Sequence, residues 1–92
     1  MRKYNFCAGP SALPTEVLEE LKEEILDWKK YGLSVMEMSH RSKEVVEIAE
    51  TAKQDFIDLL KIDSKYDVLF IQGGASLQFS MVPMNLLPSS DS

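Results

Sequence analysis

One stretch of the sequence decides the predicted fold: Tyr66-Asp67-Val68-Leu69-Phe70-Ile71-Gln72-Gly73-Gly74-Ala75-Ser76. It begins with β-formers and is apolar from Val68 to Ile71, which is typical of a strand buried on both faces in a parallel sheet. The two glycines then turn the chain. A helical stretch follows from Leu77 to about Leu87, and Pro83 is expected to bend it. The stretch therefore predicts a strand, a tight turn and a helix.

Two amphipathic helices are predicted before this stretch. Pro14 suits a first helical position because its missing N–H has no acceptor there, and Gly32 is a typical stop. We expect one helix over about 15–30, and another that begins after the N-cap Ser42 and ends at Asp63-Ser64. Steps of three and four residues relate the apolar positions of each helix: Val17 or Leu18, Leu21, Ile25 and Trp28 in the first, and Val45, Ala49, Ala52, Phe56 and Leu59 in the second.

The predicted sheet is incomplete. A buried strand needs neighbours for its N–H and C=O groups, and the only other candidates lie around Asn5-Phe6 and Val35-Met36. A parallel partner for Val68–Ile71 would need a crossover, and the sequence ends first. Residues 1–13 are expected to form an irregular arm, and Pro88–Ser92 carries no structural signal. The predicted fold class is α/β, in the order helix–loop–helix–strand–helix, with part of a sheet.

The composition of the chain limits the classes of function that can be expected. The 92 residues suit a single small domain. The net charge is −5 and no block of Lys or Arg is present, so nucleic acid is an unexpected partner. A lone cysteine, Cys7, suits a reducing compartment, and no apolar run predicts a signal peptide or a membrane span. No cluster of His, Cys, Asp or Glu has metal-ligand spacing. The expected protein is soluble and cytoplasmic.

The turn after the predicted strand is a candidate anion site, formed by Gly74, Ala75 and Ser76. Free amides at a helix N-terminus and the positive end of the helix dipole together favour a phosphate. Ser76 can add a hydroxyl donor. The alternative is a plain strand-to-helix turn with Ser76 as the N-cap, and these residues alone leave that alternative open.

The loop before the second helix holds another candidate, Ser39-His40-Arg41-Ser42, in which His40 and Arg41 are the candidate binding residues. A guanidinium binds carboxylate or phosphate through two parallel hydrogen bonds, and an imidazole beside it can donate a third. Both residues lie where binding residues are concentrated, on a loop. The alternative, that Arg41 and His40 are ordinary solvated loop residues, also remains open at this point.

Three motifs, in order and at compatible spacing, resemble the phosphoserine aminotransferase family. Residues Asn5–Pro14 resemble its opening NFxAGPAxLP, and Gly32–Ser42 resemble GxSVMExSHRS. Residues Gln72–Phe79, continued by Val82–Leu86, resemble QGGASxQFxxVPxN. Each motif is moderately specific, their combination is very specific, and they nearly span the chain.

The resemblance implies the N-terminal part of a fold-type-I pyridoxal-phosphate transferase, a homodimer that acts on glutamate and phosphoserine. It implies that residues 1–14 form an arm associated with the small domain, and that residues 15–92 begin the large, cofactor-binding domain. Ala75 and Ser76, with Gly74 in the same turn, match positions that bind the phosphate of pyridoxal 5'-phosphate. Arg41, with His40 beside it, matches a residue that binds the anionic substrate. The family's reaction belongs to serine biosynthesis and, in some bacteria, to pyridoxine biosynthesis.

One departure from the family concerns the lysine that holds its cofactor. All eight lysines precede the glycine turn, and none lies in a segment that resembles the family's lysine motif: 3, 22, 29, 30, 43, 53, 61 and 65. The family's cofactor-stacking aromatic and its pyridine-pairing Asp also have no match. We therefore assign no catalytic residue, and expect these 92 residues alone to be an inactive N-terminal piece of a longer enzyme.

Two other functions remain possible from the sequence. The chain could be a non-enzymatic module that docks its exposed strand onto another protein by edge pairing. It could also belong to a related class-V branch, such as a cysteine desulfurase or an alanine–glyoxylate aminotransferase. The His40-Arg41 pair and the opening motif argue against that branch.

Overall fold

The computed structural model describes residues 1–89. It has three α-helices, α1 (Thr15–Glu24), α2 (Lys43–Leu60) and α3 (Ala75–Leu86), and two single 3-10 turns, Trp28–Lys30 and Val35–Glu37. The chain divides into two compact units, Met1–Ala52 and a second that begins at Lys53. Within the described residues no helix combines the length and apolarity that a membrane span requires. The expectation for Pro88–Ser92 lies outside the described residues from position 90 onward.

The arm at residues 1–13 is irregular, as predicted, and hydrogen bonds hold it to itself. The Arg2 guanidinium donates to the Leu13 carbonyl at 2.9 Å and to the Thr15 hydroxyl at 3.0 Å. The Ala12 amide donates to the Asn5 carbonyl at 3.1 Å, and the Asn5 side-chain amide donates to the Pro10 carbonyl at 3.2 Å. These bonds close the arm into a loop that ends at the first turn of α1.

The prediction for the end of α1 was wrong, because the helix ends at Glu24 rather than near residue 30. Asp27 leaves the helical region, with φ −153° and ψ 89°, and its carboxylate accepts a hydrogen bond from the Gly32 amide at 2.6 Å. The Trp28 amide donates to the Leu33 carbonyl at 2.9 Å. The short Asp27 side chain thus stabilises a non-helical conformation by accepting from the Gly32 amide, and the helix does not continue through it. Gly32, with φ 72°, closes this turn instead of capping a helix.

Trp28 is buried, but not on the face of the first helix, where it was predicted. It lies in the turn after α1, is 8% exposed, and stacks on Tyr31 with ring centroids 5.6 Å apart. The Lys29 ammonium lies 4.7 Å from the centre of its ring, within the range of a cation–π contact. The tryptophan therefore stabilises the turn that connects α1 to the next segment.

The second helix agrees closely with the sequence prediction. Ser42 is its N-cap, since the Ser42 hydroxyl accepts from the Val45 amide at 3.4 Å and the Ser42 carbonyl accepts from Val46 at 3.0 Å. At the other end Lys61 has a left-handed φ of 51°, and the Ile62 amide donates back to the Ile57 carbonyl at 3.0 Å. This is the hydrogen bond of a Schellman motif, and it ends the helix before Asp63.

The predicted strand at Val68–Ile71 is not formed, and no β-ladder occurs among residues 1–89. The segment before α3 runs without regular structure, and Leu69, Phe70 and Ile71 are exposed. A strand is defined by hydrogen bonds to a neighbour, and the described residues offer this segment none. Phe70 of this segment contacts Phe56 of α2, with ring centroids 5.9 Å apart.

The third helix begins earlier than predicted, at Ala75 instead of Leu77, and continues through Pro83 to Leu86. Its N-cap is Gly74, so Ser76 is the second helical residue. The structure thus excludes the alternative in which Ser76 caps the helix. The two glycines that were expected to turn the chain do so immediately before the helix.

Candidate functional site

The first candidate site is the N-terminus of α3. Gly74 has φ 149° and ψ 163°, a conformation that is essentially confined to glycine. The first hydrogen bond of the helix runs from the Gln78 amide to the Gly74 carbonyl at 3.1 Å. The amides of Ala75, Ser76 and Leu77 therefore precede any intrahelical acceptor, and no side chain caps this helix. Three backbone donors and the Ser76 hydroxyl are available to a ligand at this turn.

Gln78 closes one side of the turn. A Cβ atom on Gly73 would lie 3.3 Å from the Gln78 side-chain nitrogen, so the side chain lies directly against this glycine. The same nitrogen donates to the Met81 sulfur at 3.7 Å. At Gly74, by contrast, an added Cβ would meet nothing within 4 Å. The open side of the turn is therefore at Gly74, next to the free amides.

An apolar cleft lies along the same helix. It is a shallow, open depression of about 450 Å³ on one face of α3. Its lining is almost wholly apolar and consists of Ala75, Gln78, Phe79, Val82 and Pro83. Ala75 belongs both to the cleft and to the turn. The arrangement suits a ligand that has an anionic group attached to an apolar or aromatic body.

The second candidate site is the loop from Ser39 to Ser42. The Ser39 hydroxyl accepts from the Arg41 amide at 3.2 Å. The Ser39 carbonyl accepts from the Ser42 hydroxyl at 2.7 Å and from the Ser42 amide at 2.9 Å. These three hydrogen bonds span His40 and Arg41 and connect them to the N-terminus of α2.

The side chains of His40 and Arg41 are exposed. The Arg41 guanidinium makes no hydrogen bond or ion pair with residues 1–89, in which the ion pair present joins Lys43 and Glu47 at 3.9 Å. Its backbone is thus held while its donors remain free. The two candidate sites belong to different units of the chain.

Comparison with known protein families shows to which family the chain belongs. The profile of the family described as aminotransferase class-V matches residues 3–92. This chain belongs to the class-V aminotransferase family. The match includes both candidate sites.

Several class-V relatives are phosphoserine aminotransferases. That of Acinetobacter baylyi is 64% identical over 87 residues, which is 95% of this chain and 24% of the relative. That of Azotobacter vinelandii is 66% identical over the same number of residues and the same shares. The sequence resemblance to phosphoserine aminotransferases is therefore confirmed. The chain spans about a quarter of the length of the curated relatives it matches.

Solved structures agree with this assignment. The phosphoserine aminotransferase from Bacillus circulans subsp. alkalophilus has a TM-score of 0.86 and 49% identity, over 97% of this chain and 25% of that one. The PLP-bound enzyme from Trichomonas vaginalis has a TM-score of 0.86 and 43% identity, over 96% and 24%. The predicted fold type, fold type I, is confirmed by these aminotransferases, although the incomplete sheet is not present in the described residues.

Two residues of the candidate sites in this class-V family member were not predicted as site residues, although both lie in the family motifs. Ser39 belongs to the segment Ser39–Ser42, and its spacing of three from Ser42 is typical of a hydroxyl-capped turn before a helix. Gln78 lies in the motif Gln72–Phe79, but its contact with Gly73 depends on how the turn folds back on the helix. No group of three His, Cys, Asp or Glu residues within positions 1–89 could hold a metal ion.

Proposed function

We propose that this chain forms the N-terminal part of a phosphoserine aminotransferase. The enzyme transfers an amino group from glutamate to 3-phosphohydroxypyruvate, giving phosphoserine and 2-oxoglutarate. One observation supports this function above the others: three unbonded amides and a serine hydroxyl converge at the Gly74 turn, beside an apolar cleft. The high identity to phosphoserine aminotransferases supports the same conclusion.

The donor set fits pyridoxal 5'-phosphate. The phosphate group would accept hydrogen bonds from the amides of Ala75 and Ser76 and from the Ser76 hydroxyl, and the positive end of the α3 dipole favours its charge. The apolar cleft that begins at Ala75 would accommodate part of the ring. When bound, the cofactor supplies an electron sink for the bond that breaks at the amino-acid α-carbon. Gly74 contributes the backbone conformation that exposes the amides.

Arg41 would bind the anionic substrate, with His40 beside it. Its guanidinium carries a permanent charge and five donors in a planar fork, which matches a carboxylate or a phosphate. The Ser39 hydroxyl accepts from the Arg41 amide, and within residues 1–89 the guanidinium makes no ion pair, so its donors would be directed to the substrate. The His40 imidazole can add one hydrogen bond to the same anion.

The remaining functional assignments follow from the resemblance. Residues 1–14 would form an arm associated with the small domain, and residues 15–92 would begin the large domain, in which Val68–Ile71 pairs as a strand of the sheet. The enzyme would act as a homodimer in the cytoplasm, in serine biosynthesis and, as in some bacteria of the family, in pyridoxine biosynthesis. The absence of a lysine after Gly74 means that these 92 residues alone do not transaminate.

A chimera tests the proposed function. Residues 1–92 replace the matching segment of the Acinetobacter baylyi phosphoserine aminotransferase, and amino transfer between phosphoserine and 2-oxoglutarate is measured in both proteins. We expect the chimera to retain activity of the same order. A chimera that binds the cofactor and folds, yet does not accept phosphoserine, would exclude the proposed function.

The role of Arg41 is tested in the same chimera by Arg41→Ala. Loss of a charge-assisted pair of hydrogen bonds raises KM for phosphoserine about 10- to 100-fold. Lys22→Ala is the control, since it removes an exposed positive charge from α1. Serine and phosphoserine are compared as substrates. A KM that rises only for phosphoserine assigns Arg41 to the phosphate, whereas equal increases assign it to the carboxylate.

A further inference from the structure

In the loop before α2, the backbone of Arg41 is held by a hydrogen bond, whereas its side chain has no such bond within residues 1–89. Its amide is bonded to the Ser39 hydroxyl at 3.2 Å, while its guanidinium has no partner in the described part of the chain. Ser39 makes this connection from an exposed position. Among residues 1–89 its hydroxyl has one identified contact, the amide of Arg41.

The carbonyl of Ser39 fixes the other side of the same loop. It accepts from the Ser42 hydroxyl at 2.7 Å, and that hydroxyl in turn accepts from the Val45 amide at 3.4 Å. The position of Ser39 is thus linked to the first turn of α2 through Ser42. Since α2 is a helix of 18 residues, its first turn gives His40 and Arg41 a well-ordered point of attachment.

We propose that Ser39 is a positioning residue for substrate binding, which acts by holding the backbone of Arg41 through its hydroxyl. The inference rests on the proposed role of Arg41 in binding the substrate anion. Restricting the loop in advance lowers the conformational entropy that is lost when the guanidinium closes on the anion. Because the hydroxyl of Ser39 would assist substrate binding, its removal should raise KM and leave the rate of the chemical step unchanged.

The test uses the chimera and four variants: Ser39→Ala, Ser39→Thr, Arg41→Ala and the double variant. Ser39→Ala removes one neutral hydrogen bond, so KM for phosphoserine should rise about two- to tenfold with kcat unchanged. Ser39→Thr keeps the hydroxyl and should restore KM. In the Arg41→Ala background, Ser39→Ala should have no further effect, because the residue through which it acts is absent. Thr51→Ala, an exposed hydroxyl on α2, is the control.

Three results would overturn the proposal. The first is an unchanged KM in Ser39→Ala. The second is an equal increase in KM with and without Arg41, which would show that Ser39 acts independently. The third is a fall in kcat and melting temperature that Ser39→Thr does not restore, as expected of a purely structural residue. A chimera that folds and binds the cofactor, yet does not accept phosphoserine, would show instead that the proposed function itself has failed. An Arg41→Ala variant with unchanged KM would show that Arg41 does not bind the substrate, and the role of Ser39 would fail with it.

Discussion

At the scale of single residues, the proposed phosphate turn depends on two glycines that have different tasks. Gly74 has φ 149° and ψ 163°, where a Cβ is strained even though the space around it is open. Gly73 has no positive φ, and its constraint is the Gln78 side-chain nitrogen 3.3 Å from an added Cβ. The Gln78 side chain can move by a few tenths of an ångström to admit a Cβ on Gly73. A change in the backbone conformation of Gly74, by contrast, would move the amides of the turn.

Alanine at each glycine separates these tasks. In the chimera, Gly74→Ala should weaken cofactor binding by about tenfold or more, since strain of about 1–3 kcal/mol opposes the conformation that exposes the amides. Gly73→Ala is the matched control and should have a smaller effect. Titration of the cofactor-free protein with pyridoxal phosphate, followed by absorbance, measures both dissociation constants. Equal losses in the two variants would contradict this account of the turn.

The candidate site could be predicted from the sequence only in part. Two glycines before a helix indicated a phosphate turn, but the choice between Ser76 as a cap and Ser76 as a donor needed the position of the first helical residue. His40 and Arg41 were singled out by residue type and by the family motif. Their support by Ser39 was missed because a hydroxyl-to-amide bond depends on the loop conformation, which no periodicity encodes.

At the scale of elements, the buried Ser34 stabilises a short 3-10 turn. Ser34 is 7% exposed, its hydroxyl accepts from the Met36 amide at 3.3 Å, and its amide donates to the Glu37 carboxylate at 3.1 Å. The two residues form a capping box. This box lies immediately before the loop that holds Arg41, so it fixes how the chain enters that loop.

Substitutions in the capping box should follow hydrogen-bonding capacity. Ser34→Ala and Glu37→Ala should each destabilise the chimera by about 1 kcal/mol, whereas Glu37→Gln should be close to neutral because its side-chain oxygen can still accept. Thermal unfolding followed by circular dichroism ranks the three variants. If the glutamine variant lost as much stability as the alanine variant, the bond to the Ser34 amide would not be the stabilising feature.

The end of α2 offers a stabilising substitution. Lys61 has φ 51° at the position that follows the helix, where glycine is favoured because it lacks a Cβ. Lys61→Gly should raise the free energy of unfolding by about 0.5–1 kcal/mol, as relief of left-handed strain exceeds the entropy that glycine gains in the unfolded chain. Lys61→Ala keeps the Cβ and should give no such gain. If only Lys61→Gly raised the melting temperature of the chimera, strain at Lys61 would be supported. Equal melting temperatures for Lys61→Gly and Lys61→Ala would contradict it.

Helix α2 and the start of α1 were predicted well from the sequence, while the end of α1 and the strand were not, for physical reasons that differ. The apolar spacing and the Ser42 cap of α2 are local signals, and local signals decided its limits. The end of α1 is decided by the Asp27 carboxylate, which bonds the amide of Gly32 five residues later. The strand at Val68–Ile71 needs partners that residues 1–89 do not supply, so its apolar pattern has no ladder to join.

At the scale of the whole molecule, burial is far below that of a folded domain. The chain exposes 8914 Å², whereas a folded monomer of this mass exposes about 5,400 Å². Among the described residues the buried ones are Trp28 and Ser34. Large apolar side chains such as Leu69 and Phe79 are 73% and 83% exposed. The hydrophobic burial that offsets conformational entropy in a folded domain is therefore largely missing.

This deficit predicts the behaviour of the isolated 92 residues. They should bind a hydrophobic dye such as ANS, unfold gradually in urea instead of cooperatively, and give no bound-cofactor absorbance with pyridoxal phosphate. Co-expression with the remaining three quarters of the Acinetobacter baylyi enzyme should cover the apolar residues, because Val68–Ile71 then has strands to pair with and α3 has a surface to pack against. A single cooperative transition for the isolated chain, with little dye binding, would show that it is a free-standing module, and the interpretation of its exposed apolar residues as contacts within an aminotransferase would then be wrong.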